Sequence, residues 1–573
     1  MGTICAAKEG NNTYYVYRET YRVKVNPEDQ GKKRGSGKST VRTRAVYLGT
    51  AEKILNLVQE KREPIDITLR EFGLVAAAYQ TAREIGIQEI FAKRIPGQRG
   101  GVPRWVYFFL TIVNRLDHAT SKNRMKQWLQ NTILPGLMGV DASRINGKNF
   151  WYAADDVMSE KELREKRQSR HPADDPFTGL TEDIFTQIEA DLFERIDQLM
   201  GLSPAVICYD TTNFYTFIDE PKRSQLACTC HSKEGKHHLR HVGLLMAVEK
   251  SHGVPLMSRV YQANRHDSKI FSCILGDLII TLKRLCGSDS DIVVVIDKGN
   301  NSKENFEAMS GNISWIGALV PSHYKDLIDL DLAQYHGFWK DIRYYRCRRT
   351  IMGIPCSVVL TFNDATARKQ RHSLTRGILK LKGEVEAKWA AYKKKPRSVP
   401  QGIQTLLKKS EYGACLNVCV RDGELTIANE DAEIEPRVKR FGKNLIFSNM
   451  LDTEPGSLIE TYRERNAVED DFRLLKDETI IRFRPVRHWT DTKIRTYAFC
   501  CVIALTLMRV MQWKVSSALY PMSPQLLKTE LSDIKQSLLV YSLAETRTQI
   551  THRSAVQKQL WEVFGLDDIA ACC

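Results

Sequence analysis

Two stretches decide the fold: Ala205-Val-Ile-Cys-Tyr-Asp210 and Ile292-Val-Val-Val-Ile-Asp297. Each is a short apolar run rich in β-branched side chains that closes on a carboxylate, the pattern of a central strand buried on both faces. In open α/β sheets, sites form outside the carboxyl ends of the strands, so the two runs predict Asp210 and Asp297 beside one crevice. For either aspartate alone a turn or capping role is the commoner one. A third carboxylate is needed before a shared site is expected.

Working outward, residues 241–248 and 254–261 flank His252-Gly253 as a hairpin, and 268–285 has helical periodicity. The order is strand, hairpin, helix, strand. Beyond it, 313–320, 341–348, 355–362, 414–420 and 445–450 read as strands, and a long helix begins near Leu458. An apolar helix follows at about 492–513, buried rather than membrane-spanning because its strongly apolar part stops at Arg509. Upstream, 14–25 and 41–48 alternate as a small basic hairpin. Residues 51–202 turn helical at 72–92, 105–116 and 181–200, with a polar loop at 162–176.

The third carboxylate comes from the helix near Leu458. Tyr462, Arg465, Glu469 and Lys476 lie at offsets 0, 3, 7 and 14, which at about 100° per residue fall within roughly 60° of one helix face. One stripe therefore presents an acid and two cations. Asp470 and Asp471 point roughly 100° and 200° away from Glu469 and are poorer candidates. By itself such a stripe is more often a solvated charged face.

These residues together resemble the bacterial insertion-sequence transposases with an Asp, Asp, Glu triad, particularly insertion sequence family four, whose glutamate helix carries a Tyr, Arg, Glu, Lys signature. Further similarity lies in Tyr209-Asp-Thr-Thr-Asn213, Gly253-Val-Pro-Leu256 with Ala263-Asn264 and Asp267, Asp297-Lys-Gly-Asn300, and Phe472-Arg-Leu-Leu-Lys476 leading to Arg484-Pro-Val-Arg-His488. It spans about 205–310 and 458–513. One departure is Lys298, where the family more often has Arg; the charge is kept, the bidentate geometry is not.

The resemblance implies an α/β fold: an RNase H-like catalytic core interrupted by a β-rich insertion, with a mostly helical N-terminal region. The domains expected are 1–50, a small basic β region; 51–203, helical and DNA-end-binding; 204–310 and 456–520, the two parts of the core; 311–455, the insertion with a basic helical arm; and 521–573, a helical region suited to dimerisation. It also implies that Asp210, Asp297 and Glu469 hold two Mg²⁺ ions, with Mn²⁺ as substitute. Hard oxygen donors suit Mg²⁺, and two metals can activate a nucleophile and stabilise a leaving oxygen in phosphodiester cleavage. Arg465 and Lys476 would either neutralise a strand phosphate, with Tyr462 bonding or stacking beside it, or buttress the glutamate.

Composition is consistent with this reading. At 573 residues, 43% hydrophobic and 27% charged, the chain is a folded multidomain protein, not a disordered or fibrous one. A net charge of +16 favours a polyanionic partner. Residues 368–409 hold 13 Lys and Arg against Glu384 and Glu386, and 32–44 hold six with no acid. Within the first run Lys393, Lys394, Lys395 and Arg397 are candidate DNA contacts, as are Lys298, Arg484 and Arg487 elsewhere. Arg482, Arg484, Arg487, His488 and Trp489 form a basic aromatic cluster suited to phosphates and one stacked base. The fourteen scattered cysteines fit reduced thiols. With no export or anchoring segment read, a cytoplasmic, nucleoid-associated bacterial protein without a membrane partner is expected.

Two motifs are set aside. Gly35-Ser-Gly-Lys-Ser-Thr40 has Lys32 where a P-loop needs its first glycine. Cys228, Cys230, His231, His237, His238 and His241 lack a zinc-ligand spacing. The function expected is a DNA transposase that cleaves transposon ends and transfers them to target DNA, cut-and-paste with a hairpin intermediate. Its partners are double-stranded terminal inverted repeats, target DNA and a second protomer or more. Trp315, Trp339, Tyr344 and Tyr345 are candidate platforms on which a displaced base can stack, though no spacing selects one and each is also a candidate core or strand residue. The alternatives are a metal-dependent DNA nuclease that does not join strands and a transposase-derived DNA-binding protein.

Overall fold

The computed structural model describes residues 2–572 except 10–11, 25–38, 54–63, 98–100, 170–174, 181–182, 203–205, 221, 233, 287–290, 393–395 and 543–544. The two deciding runs lie side by side in a ten-stranded mixed sheet. Its strands in chain order are β1 (Val206–Tyr215), β2 (Cys228–Thr229), β3 (Arg240–Glu249), β4 (Pro255–Tyr261), β5 (Val293–Val295), β6 (Ser314–Ala318), β7 (Gly337–Trp339), β8 (Ile342–Ile351), β9 (Ile354–Asn363) and β10 (Lys443–Ser448). Across the sheet the order is β7-β8-β9-β10-β6-β5-β1-β3-β2, with β4 also pairing β3. Only β1, β5 and β6 run parallel to one another; the flanking pairs are antiparallel.

The expected hairpin is β3 and β4. Its turn closes because the Glu249 carboxylate accepts the backbone N–H groups of Ser251 and His252 and Gly253 adopts φ +67°, a conformation most side chains avoid. Helix α1 (Asp267–Cys286) buries Ile270, Phe271, Ile274, Leu278 and Leu282, the three-and-four spacing of an amphipathic helix.

Beyond the sheet, α2 (Asp364–Ala390) precedes α3 (Pro455–Arg463), α4 (Asn466–Lys476) and α5 (Asp491–Ala518). At 28 residues, α5 is the one helix among the described residues long and apolar enough to cross a membrane, yet 89% of its apolar window is buried inside the protein. Apolar all round, it packs between the N-terminal helices and the sheet.

Several boundaries differ from the sequence reading. The insertion expected at 311–455 is not separate from the core: β6 to β10 fall within it and widen the central sheet. The part with its own core is smaller, built on Leu374, Ile378, Leu381 and Val385 of α2 with Ile403, Cys415 and Leu416. Residues 521–573, expected to be helical, contain strands Lys535–Ser542 and Glu545–Ile550, and the first pairs with strand Asp66–Glu71 from the N-terminal region. The loop expected at 162–176 begins as helix Glu160–Ser169. The N-terminal hairpin is a three-stranded sheet, Gly2–Glu9, Asn12–Lys24 and Ser39–Thr50. The glycine-rich stretch before Ser39 lies outside the described residues.

Candidate active site

Asp210 does not end its strand as expected; it sits in the middle of β1. What ends there is the parallel neighbour. Cys208 is opposite Val295, the last residue of β5, so two residues further on Asp210 and Asp297 stand level where the parallel ladder stops. Asp297 precedes the short helical turn Lys298–Asn300, and its side chain makes no capping bond to it, which removes the capping role. Asp210 accepts the backbone N–H of Thr211 at 2.8 Å.

Glu469 arrives from α4. The single long helix expected from Leu458 is two, α3 and α4, with Arg465 between them at φ −52°, ψ −22°. Arg465 is the centre of the cluster. Its Nη2 donates to Glu469 Oε1 at 2.6 Å, and its Nη1 lies 3.4 Å from Asp297 Oδ1 and 3.9 Å from Asp210 Oδ2. The side chains of Arg465 and Asp210 are 15% and 17% exposed, Asp297 33% and Glu469 49%, so the cluster opens to solvent on the glutamate side. For Arg465, burial lowers the guanidinium pKa but is outweighed by Tyr462, Asp297, Asp210 and Glu469, which raise it. Burial pushes the Tyr462 hydroxyl up to about 12, and the ring packs on the cluster of Ile316, Ile342 and Leu458 with Arg465 5.6 Å from its centroid. Asp471 is buried in a pair with Arg509, 2.5 Å apart, and Asp470 pairs with Arg473, so neither joins the site.

Three carboxylates converging on one cation form a donor set that suits a hard divalent ion. As placed, no three His, Cys, Asp or Glu side chains among the described residues stand close enough to share one ion. The guanidinium occupies the space between the carboxylates.

Lys476 shares the helix but not the cluster. Its Nζ donates to Thr212 Oγ1 at 2.7 Å and lies 3.7 Å from Glu234. Arg484 pairs with the other oxygen of Glu234 and donates from Nε to the Lys476 carbonyl. The stripe read from sequence is thus divided between two neighbouring sites. Lys298 is exposed, and Arg487 is exposed over the Phe217 ring, 5.7 Å from its centroid. His488 is not part of a surface cluster: it stacks on Tyr497 and meets Trp151, and burial holds its pKa well below the usual value. Trp315 is fully buried against Phe306 and Phe447, which removes it as a platform for a base. Trp339, 4.2 Å from Lys340 Nζ, and the half-buried Tyr344 and Tyr345 keep some surface. Arg397 is exposed, while Lys393, Lys394 and Lys395 lie outside the described residues.

Sequence reasoning gave no individual role to Thr212, Glu234 or Asp267. Asp267 Oδ1 accepts from Thr211 Oγ1 at 2.8 Å, and a Cβ on Gly299 would lie 3.1 Å from its other oxygen, so this carboxylate wedges β1 against the turn after Asp297. Its place in the stretch similar to the transposases was the available signal. Glu234, an isolated acid in a loop, gave none.

A mixed sheet with three carboxylates gathered where its parallel ladder stops defines an α/β protein with an acidic, solvent-open site. The family described as Transposase DDE domain matches residues 202–507, more than half of the 573. The chain belongs to that family, a DDE transposase of the kind that cleaves and transfers DNA strands. Among solved structures it is similar to the piggyBac transposase in a synaptic complex with hairpin DNA, at 9% identity and a TM-score of 0.40, covering 80% of this chain and 78% of that one. No curated protein matches.

Proposed function

We propose that this protein is a cut-and-paste DNA transposase of the insertion sequence family four type, with an RNase H-like core in which Asp210, Asp297 and Glu469 form the triad. The observation that carries the reading is the convergence of three carboxylates, from β1, the end of β5 and α4, on the Arg465 guanidinium. The parallel β1, β5 and β6 flanked by the β3–β4 hairpin support the RNase H-like assignment.

The three carboxylates would hold two Mg²⁺ ions, or Mn²⁺, which supply nucleophile activation and leaving-oxygen stabilisation. The residues of the chain do the rest. Arg465 orients Glu469 and draws Asp210 and Asp297 toward one point. Thr211 and Asp267 fix β1 against the Lys298 turn, and Lys476 and Arg484 offer cations to the strand phosphates beside the site. Regions 1–50 and 51–203 are assigned to DNA-end recognition and 521–573 to contacts between protomers, since pairing two ends needs at least two copies. On this reading the protein works in the cytoplasm of a bacterium, on the nucleoid.

Asp210→Asn, Asp297→Asn and Glu469→Gln should each abolish cleavage of terminal-repeat DNA while leaving end binding intact. Near wild-type cutting by any of them in Mg²⁺ removes that residue from the triad. The second strand is opened by the freed 3′ hydroxyl, giving a hairpin end. On a denaturing gel an end-labelled substrate then shows a single strand of about twice the length, whereas only linear cut products alongside efficient joining overturn this route.

A further inference from the structure

Glu234 is held differently from Asp491 and Glu189, two buried acids of this protein. Asp491 accepts from the Ser224 hydroxyl, the backbone N–H groups of Gln225 and Leu226 and the Arg167 guanidinium. Glu189 accepts from the hydroxyl and backbone N–H of Ser258 and from Arg259. Each is fastened by hydroxyl and main-chain donors of the scaffold. Glu234 is 16% exposed; among the described residues its side chain meets two cations, Arg484 at Oε2 and Lys476, 3.7 Å from Oε1, and no hydrogen-bond donor among those residues reaches Oε1. It comes from the loop between β2 and β3, where its own N–H is tied to Ser232 Oγ, while both cations belong to α4 and the segment after it.

The position of those cations relative to the triad is fixed by β1. Thr212, which accepts from Lys476, is two residues beyond Asp210 and therefore on the same face of the strand, roughly 7 Å along it. An ammonium, positioned by the Thr212 hydroxyl, and a guanidinium converging on one acidic oxygen pair make a donor set that a phosphodiester takes.

We propose that Thr212, Lys476 and Arg484 form a phosphodiester-binding site one strand step from the triad, and that the Glu234 carboxylate holds the place of the phosphate in the DNA-free protein. DNA entering the site displaces Glu234, so the glutamate lowers the affinity for every duplex alike. This inference rests on the reading of the protein as a DNA transposase. It differs from that reading in predicting that removal of an acid outside the triad makes binding tighter.

The test uses the full chain carrying Asp210→Asn, so that DNA is bound and not cut, with fluorescence anisotropy on a terminal-repeat duplex and on a duplex of unrelated sequence over a salt series. Adding Glu234→Gln should tighten binding to both duplexes about five-fold, the equivalent of about 1 kcal/mol. It should steepen the slope of log affinity against log salt by about 0.9, the contribution of one phosphate. Lys476→Gln should weaken binding more in the Glu234→Gln background than with Glu234 present, because the glutamate already neutralises part of that lysine. Unchanged or weaker binding by a cooperatively melting Glu234→Gln protein, or an equal effect of Lys476→Gln in both backgrounds, overturns the proposal. Failure of both Glu234→Gln and Glu234→Ser to fold also overturns it, by assigning the glutamate to the scaffold. If the Asp210→Asn parent binds no duplex at any salt, the functional reading itself falls; if the parent binds and the 234 variants match it, only this inference does.

Discussion

Arg465 governs the carboxylate cluster because three acids that repel one another share its guanidinium. Arg465→Gln should therefore lower stability by about 1–3 kcal/mol in metal-free buffer, and Mg²⁺ should restore most of the loss by replacing the missing positive charge. Urea unfolding with and without the ion measures both effects; an equal deficit in the two conditions would show that the arginine acts through packing alone. Arg465→Lys should rescue little, since a point charge cannot span three acceptors as the planar guanidinium does. Lys122 offers a second case. Burial brings its pKa down to about 8, while it donates to Thr111 and lies 4.9 Å from the Phe150 ring centroid. The unfolded chain binds that proton more tightly, so the contribution of Lys122 to stability rises as pH climbs from about 8 toward 10.5. Lys122→Met should accordingly stabilise the protein relative to wild type at pH 7 and lose that advantage by about pH 10. Thermal melts of the two proteins at both values are decisive, and a pH-independent difference would contradict the burial argument.

At the scale of the element, α2 separates its functions by face. Leu374, Ile378, Leu381 and Val385 are buried in the small core of this region, while Arg368, Lys369, Arg371, Arg376, Lys380 and Lys388 are exposed. Replacing Arg371, Arg376 and Lys380 with Gln should weaken binding to all duplexes alike and flatten the salt slope by about 0.9 for each phosphate that is no longer neutralised. The same substitutions should leave the melting temperature nearly unchanged, because surface charges contribute little to stability. An unaltered slope would make this face a solvated surface. Between α3 and α4 the backbone bonds tighten to the three-residue kind, Arg465 donating to Tyr462, Ala467 to Glu464 and Val468 to Arg465, so the chain turns there although residues 462, 465 and 469 keep helical spacing.

For the molecule as a whole, the first and last parts of the chain form one structure. Strand Asp66–Glu71 pairs with Lys535–Ser542, Phe72 stacks on Trp561 with centroids 5.4 Å apart, and Gly73 packs so closely that a Cβ would lie 2.3 Å from the Leu531 carbonyl oxygen. Removal of residues 521–573 should therefore expose the Phe72 ring and unpair an N-terminal strand, yielding a chain that aggregates or melts well below the full protein. Gly73→Ala should cost several kcal/mol, since the clash is with backbone that cannot rotate away. A truncated chain that melts as the full protein does, read by circular dichroism, would show that the two ends fold independently.

Local pattern by itself determined the strands and helices of the core, because alternation and β-branched content act over a few residues. The runs ending at Asp210 and Asp297, the hairpin around Gly253, helix α1 and the buried helix α5 all follow from it. The three carboxylates of the proposed triad were legible as candidates as well, since two acids after apolar runs and a Tyr, Arg, Glu, Lys spacing are linear patterns. Only the tertiary structure decided that Asp210 lies inside its strand, at the level where β5 stops, since that depends on register between strands separated by residues 216–292 of the chain. It alone set Arg465 among the carboxylates, sent Lys476 to Glu234, stacked His488 on Tyr497, buried Trp315, and joined residues 66–71 to 535–542. These are long-range pairings of charge and backbone, chosen by burial and by the need to satisfy polar groups once the whole chain is packed, and no local period encodes them.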